Sequence, residues 1–419
     1  MRRPSVWQTR ELDIRIILTL GLVLRLVWVL VIPLMPVSDS VAYDTFAHNI
    51  VVNGVYGWTP EQPSAYWAVG TSAVLALLYL LIADNHTVVV GFNLIMSLAV
   101  ILLGYRLARL YFDEATATLT ALILALWPSL IMFTTIIASE ILFIAMLMAG
   151  LLLAGAPERP QLSRWLLAGL FWTAAVYVRP VAILIPVIHM CFVFIRQRRL
   201  SLQGLYCGLG ACCVMAVLIA PWTYRNYAVT GQASLISNNF GPLLWMGNNP
   251  NSNGGYVELP EWTKGLSEAE RANRLMELAI EHIEADPAAF LGRTVEKAFL
   301  NHANESIAVA WNEPGIRESL GNWAVLPLKI ATNGYWIIVL TLSLAGVWTS
   351  VRRFGAIATL FSPCLIYWGY FTAIHAITVA GDRYHFSSLP FIAMLAALGS
   401  VNLFDHIMAP IRSVNRIRT

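Results

Sequence analysis

Long apolar runs dominate both ends of the chain, and a mostly polar stretch, 222–330, separates them. Hydrophobic segments fall at 14–36, 64–83, 87–107, 115–131, 134–154, 164–179, 180–196, 204–221, 331–350, 355–377 and 385–404. Runs such as Ile16–Ile32, Val88–Leu103 and Ile136–Leu153 approach the ~20 apolar residues that cross a bilayer core as a helix. This pattern predicts an all-α polytopic membrane protein. It also predicts a division into an N-terminal membrane module (1–221, with its first outer loop at 37–86), a polar loop domain (222–330) and a C-terminal membrane module (331–419). Inside the polar stretch, Ser267-Glu268-Ala269-Glu270 is a capping box. It opens a helix running to Ile283, with Leu275, Leu278, Ala279 and Ile283 at helical spacing. Asp286-Pro287 ends that helix and caps a second one, which carries Phe290, Leu291, Val295 and Phe299. Both helices are expected to pack on the membrane surface.

Composition sharpens the membrane reading. The chain is 58% hydrophobic and 12% charged, whereas soluble domains are about half apolar and about a quarter charged. Lysine occurs only at Lys264, Lys297 and Lys329, and no basic-aromatic patch for nucleic acid is present. The first apolar segment is too long for a cleaved signal and reads as an anchor. Arg2, Arg3 and Arg10 place the N-terminus in the cytoplasm. If 64–83 crossed the bilayer, Arg106, Arg109, Arg159, Arg164, Arg196, Arg198, Arg199, Arg352, Arg353, Arg412, Arg416 and Arg418 would all fall outside. If 64–83 is instead a juxtamembrane helix on the outer face, every one lands inside. The remaining ten segments then span, both termini are cytoplasmic, and 222–330 is extracytoplasmic. Cys191, Cys207, Cys212, Cys213 and Cys364 all lie in apolar segments, which excludes a disulfide framework in the loop and a cysteine metal site.

Candidate chemistry gathers at the outer face. The loop 37–63 holds Asp39, Tyr43, Asp44 and His48 and has no Lys or Arg; on spacing alone its carboxylates read equally as solvated loop charges. Glu140, Arg179 and Arg383, with Tyr384, fall at the same depth by the topology above. Charges in or beside membrane segments are costly and commonly functional. The set reads either as a structural salt-bridge network or as a cavity for an anionic lipid headgroup, with arginines on phosphate and carboxylates on a hydroxyl proton. Arg25, nearer mid-span, reads as structural. Trp222-Thr223-Tyr224-Arg225-Asn226-Tyr227, Gly247-Asn248-Asn249-Pro250 and the nearby glycines and Tyr256 offer amides and aromatics of the kind that bind sugars, but on spacing alone an ordered loop explains them. No His/Cys cluster has zinc spacing. Asp39, Asp44 and Glu140 offer oxygen ligands for Mg²⁺ or Mn²⁺, but the arginines already supply positive charge, so a metal-independent reaction without cofactor is expected.

Several segments, in order along most of the chain, resemble bacterial membrane glycosyltransferases of the GT-C superfamily, in the branch of the protein O-mannosyltransferases and the lipid A aminoarabinose transferase. They are Asp39-Ser40-Val41-Ala42-Tyr43 with Gly54-Val55-Tyr56; Ser139-Glu140-Ile141-Leu142-Phe143; Val178-Arg179-Pro180; Pro221 to Tyr227; Leu244 to Pro250; and Asp382-Arg383-Tyr384 before Pro390. The segment 62–70 departs from the pattern by lacking a second Pro before Gly70. The resemblance implies a GT-C-like fold of about ten transmembrane helices with outer juxtamembrane helices. It implies a bacterial inner-membrane enzyme, a hexosyl or pentosyl transferase, using a polyprenyl-phosphate sugar donor within the lipid and a hydroxyl acceptor on a glycan, lipid or protein. Asp39 would be the catalytic base, Asp44 and Glu140 would orient it or the sugar, and Arg179, Arg383 and Tyr384 would hold the donor phosphate. Tyr43, Tyr66, Arg225, Asn226, Asn248 and Asn249 would line the substrate. A transporter or flippase of lipid-linked glycans is the alternative, though no internal repeat of the transporter kind is found.

Overall fold

The computed structural model describes the backbone of residues 13–417 and the side chains of 13–404. Arg2, Arg3, Arg10 and Arg418 lie outside these residues, as do the side chains of Arg412 and Arg416. The chain is helical almost throughout. The N-terminal part comprises α1 (Ile14–Val31), α2 (Asp39–Asn53), a small hairpin of β1 (Gly57–Thr59) and β2 (Gln62–Pro63), then α3 (Gly70–Leu81), α4 (His86–Tyr111), α5 (Glu114–Leu126), α6 (Pro128–Met132), α7 (Glu140–Ala154), α8 (Leu162–Val178), α9 (Ile185–Gln197) and α10 (Leu202–Thr230). The polar stretch forms α11 (Phe240–Asn248), α12 (Glu268–Ala285), α13 (Pro287–Leu300) and α14 (Ile307–Leu320). The chain ends in α15 (Val325–Phe354), α16 (Ala356–Leu360), α17 (Pro363–Ile377) and α18 (Leu389–Ile417). The sequence boundaries at 221 and 330 thus fall inside α10 and α15.

Among the described residues six helical stretches are long and apolar enough to cross a membrane, or seven if the bent pair Glu114–Leu126 and Pro128–Thr135 counts as one span. Glu140–Ala154 and Leu162–Val178 are shorter apolar helices. The segment 64–83, set on the outer face by charge, contains only the 12 residues of α3. At 1.5 Å per residue it reaches about 18 Å, well short of a ~30 Å hydrocarbon core.

The segment read as 115–131 bends by 56° after Leu126. Pro128 has no N–H to give the carbonyl of Leu124, so the ladder breaks there. Arg25, fully buried on α1, fills the gap. Its guanidinium donates to the carbonyls of Ala125 (3.0 Å), Leu124 (3.4 Å) and Gly21 (3.1 Å), and to Ser97 Oγ (2.6 Å). At the other end of the chain α15 and α18 pack closely; a Cβ on Gly346 would lie 1.9 Å from the carbonyl oxygen of Leu395, so only glycine permits the approach.

In the polar stretch the local signals hold. Ser267 and Glu270 form the reciprocal capping box of α12, and Asp286 accepts from the Ala289 N–H to cap α13. The two helices turn their apolar residues differently. Leu275 and Ala279 of α12 are buried, and its Ala272 carbonyl meets Gly241 of α11. α13 leaves Leu291, Val295 and Phe299 exposed and turns Lys297 inward.

Candidate active site

Asp39 opens α2, where its carboxylate complements the unpaired N–H groups of the first turn. The preceding Ser38 holds φ 52° and ψ −128°. An L-residue there is strained by about 1–3 kcal/mol, the kind of local cost that gathers at functional sites. Arg383 Nη1 donates to Asp39 Oδ2 at 2.7 Å. Asp39 Oδ1 receives only the Trp67 indole N–H, at 3.4 Å. One carboxylate oxygen is therefore held, and the other keeps free lone pairs facing a partly open space.

The second ion pair lies deeper. Arg179, the C-cap of α8, donates from Nη1 to Glu140 Oε1 at 3.0 Å. The Glu140 side chain is 1% exposed and that of Arg179 11%, against 21% for Asp39 and 25% for Arg383. Tyr384 joins the two pairs: the Arg179 and Arg383 guanidinium carbons lie 5.9 and 5.5 Å from its ring centre. Tyr43, one turn after Asp39, is the other shared neighbour. Burial pushes its hydroxyl up, and Asp39 and Glu140 add to this while Arg383 and Arg179 oppose it. Residues separated by more than three hundred positions thus converge on one place.

Asp44 does not join them. It lies five positions after Asp39, on another face of α2, and accepts from Tyr79 Oη at 2.6 Å while pairing with His86 Nε2 at 3.0 Å. His48 links the same cluster to Asp84 at 2.7 Å. Among the described residues no group of three or more His, Cys, Asp or Glu is arranged to hold a metal ion.

The amides and the arginine expected to line a sugar are engaged within the fold. Arg225 donates to the carbonyls of Ser64 (2.5 Å) and Tyr56 (2.9 Å) and stacks on Trp222. Asn226 holds the carbonyls of Ser234 and Ile236, and Asn249 those of Trp245 and Met246. Asn248 donates to the carbonyls of Leu244 and Ile377 and accepts from Lys297. Arg225 ties α10 to the hairpin and Asn248 ties α11 to the end of α17, while Asn226 and Asn249 hold carbonyls close to them in the chain.

Sequence reasoning missed three residues here. Lys297 is fully buried and donates to the carbonyls of Gly247, Ile377 and Thr378 and to Asn248 Oδ1, with distances of 2.9–3.1 Å. Gly247 makes room for this junction: a Cβ there would lie 1.8 Å from the Thr378 carbonyl oxygen. Trp311 of α14 lies under Arg383, 5.0 Å from its guanidinium carbon. His375 stacks on Tyr384 with ring centres 4.3 Å apart. The scarcity of lysine was the one signal available for Lys297; Trp311 and His375 had none.

Two comparisons bear on this arrangement. Residues 68–224, which include Glu140 and Arg179, match the sequence family described as dolichyl-phosphate-mannose-protein mannosyltransferase. No curated protein matches the chain. Among solved structures, the archaeal oligosaccharyltransferase AglB from Archaeoglobus fulgidus, in complex with an inhibitory peptide and a dolichol-phosphate, superposes with a TM-score of 0.57 at 13% identity over 98% of this chain. The chain has the fold of that oligosaccharyltransferase. A second structure of the Archaeoglobus fulgidus oligosaccharyltransferase, tethered to an acceptor peptide, gives a TM-score of 0.56 at 14% identity over 96% of this chain. This chain covers 52% and 51% of those two proteins, so it spans about half their length. The GT-C resemblance read from the ordered motifs is borne out, and so is the all-α polytopic class.

Proposed function

We propose that the protein transfers a sugar from a polyprenyl-phosphate donor to a hydroxyl acceptor, at the extracytoplasmic face of a bacterial inner membrane. The observation that carries this reading is the Asp39–Arg383 pair beside the buried Glu140–Arg179 pair. A carboxylate and two cations meet around Tyr384, and the carboxylate is tied to the more accessible cation. The match to a mannosyltransferase family and the dolichol-phosphate bound by a protein of the same fold support a lipid-phosphate donor.

Before a ligand arrives the two arginines and two carboxylates balance. Donor phosphate draws Arg383 from Asp39 into a two-pronged contact. Arg179 stays with Glu140 and adds positive charge from behind. Asp39, released, takes the proton of the acceptor hydroxyl. The hydroxyl oxygen bonds to the anomeric carbon as the carbon–phosphate oxygen bond breaks. The electron pair goes to the lipid phosphate, where the arginines stabilise it. A single displacement inverts the anomeric centre, and phosphate leaves without a strong general acid. In this reading no metal ion takes part, and activity persists in EDTA.

The test is transfer of a labelled sugar from a polyprenyl phosphate by the purified protein, with the anomeric configuration of the product determined. No transfer from any lipid-phosphate sugar, or retention of configuration, would overturn the reading. The face is tested separately. A single cysteine at position 85 in a cysteine-free variant should react with an impermeant thiol reagent added outside; reaction only after permeabilisation would make α3 part of a span.

A further inference from the structure

One arginine near the site is left without work. Arg271, in the first turn of α12, lies with its guanidinium carbon 5.7 Å from the centre of the Tyr66 ring. Among the described residues that ring is its only side-chain partner, and its Nε is buried without a hydrogen bond. Two carboxylates stand in the same turn, yet both are committed elsewhere. Glu268 accepts from Ser64 Oγ (2.8 Å) and the Ala65 N–H (2.9 Å), and Glu270 closes the capping box with Ser267. A cation in the first turn also sits at the unfavourable end of the helix dipole. Local stability does not account for Arg271.

Its placement is nevertheless fixed. The Glu268 clamp holds the hairpin exit against α12, one turn from Arg271, and Ser64 Oγ also accepts the Tyr66 N–H at 3.0 Å. Tyr66 stacks edge-on against Trp67, with ring centres 4.6 Å apart, and Trp67 touches Asp39. Tyr256, 74% exposed, lies near enough to add to the push on the Tyr66 hydroxyl. Its loop is pinned by Gly254, whose carbonyl accepts the Ala380 N–H at 2.8 Å, three residues before Arg383. Burial pushes the Tyr66 hydroxyl up to about 12, against the pull of Arg271 and with the push of Asp39, Tyr256 and Tyr384. Tyr66 is therefore the hub between the base and an outward rim.

From this geometry we infer that Tyr66, Tyr256 and Arg271 form the acceptor subsite, and that it takes a sugar carrying an anionic group, a carboxylate or phosphate. The inference rests on the transferase reading above and adds the class of acceptor to it. Tyrosine rings offer flat apolar faces to a sugar ring with hydroxyls at their edges. The guanidinium offers the four N–H donors of its Nη atoms in a fork suited to an anion. The order of groups, from Asp39 through Trp67 and Tyr66 to Arg271, sets the anionic group on the far side of the acceptor from the attacking hydroxyl.

The test uses the full chain in lipid nanodiscs, with binding of methyl β-glucuronide and methyl β-glucoside followed by intrinsic fluorescence. The wild type should prefer the glucuronide by about tenfold or more, the scale of one hydrogen bond to a charged group. Arg271→Gln should bring the two glycosides within about twofold of each other. Tyr256→Ala should weaken both about equally, and Arg383→Gln should keep the preference. Equal binding by the wild type, or a preference that survives in a folded Arg271→Gln protein, would overturn the inference. Tighter, Arg271-dependent binding of an Asp-Ser-Asp peptide would overturn the sugar class. Transfer from lipid-phosphate sugar is read on the same preparations. Preference without transfer removes the transferase reading and leaves the subsite; transfer without preference does the reverse.

Discussion

The Asp39–Arg383 and Glu140–Arg179 cluster and the girdle around Arg25 both hold arginine away from water, but they satisfy it differently. Arg179 and Arg383 face carboxylates. Arg25 faces three backbone carbonyls and a serine hydroxyl. A carboxylate can be exchanged for an incoming phosphate, leaving both anions paired in turn. The carbonyls at the Pro128 break have no other donor, so Arg25 cannot leave them. Burial of a charge therefore marks both regions, and the kind of partner separates a working charge from a structural one. Lys297 belongs with Arg25: all four of its acceptors are neutral.

The largest expected effect comes from Asp39→Asn. It keeps the shape and removes the proton acceptor, so transfer should fall roughly a hundredfold or more while donor binding persists. Near-normal turnover in a folded protein would remove the role of base from Asp39. Next, the two ion pairs should respond differently. Arg179→Gln strands Glu140, 1% exposed, and should cost about 3–5 kcal/mol of stability, partly recovered in the double variant with Glu140→Gln. Arg383→Gln strands only a partly solvated Asp39, so it should leave the melting temperature nearly unchanged but weaken donor binding and slow transfer together; Arg383→Lys should restore part of both. If the two variants behave alike, the division into exchangeable and fixed pairs fails. Arg25→Met should cost about 1–3 kcal/mol through unsatisfied carbonyls, read by thermal melting, with no change in donor affinity.

The smallest effect is a pH dependence. Burial pulls the Lys297 ammonium from 10.5 down to about 8. Between those values the unfolded chain binds more protons than the folded one, so this residue's contribution to stability rises with pH across that window. Lys297→Met should remove that rise, measured as melting temperature from pH 8 to 10.

What could be read from the sequence was what local chemistry decides. The capping box at Ser267 and the Asp286-Pro287 junction act over a few residues, and both are found where expected. Each hydrophobic segment contains helix. Within the site, Asp39, Asp44, Glu140, Arg179 and Arg383 were picked out because charge beside apolar segments is costly, and all but Asp44 converge, around Tyr384. The sugar-facing reading of Arg225, Asn226, Asn248 and Asn249 found these groups turned to backbone carbonyls. An amide suits a sugar hydroxyl and a carbonyl equally, and its partner is set by contacts such as Asn248 with Ile377, 129 residues apart. Arg271 and Lys297 escaped for the same reason: an unpaired and a carbonyl-bound cation look identical in a linear chain.

Arg25 also has a consequence for biogenesis. Its helix is made before its partners. Ser97 follows 72 residues later, and the carbonyls of Leu124 and Ala125 follow 99 and 100 residues later. At ordinary elongation speeds that delay is about 5–20 s. During it a guanidinium in α1 has only the Gly21 carbonyl of its own helix as a protein ligand. It must wait at the translocon or reach toward the lipid surface until α4 and α5 arrive. Synthesis that pauses between residues 32 and 125 would lengthen the exposure. The first membrane helix would then be the step at which insertion of the whole chain is most easily lost.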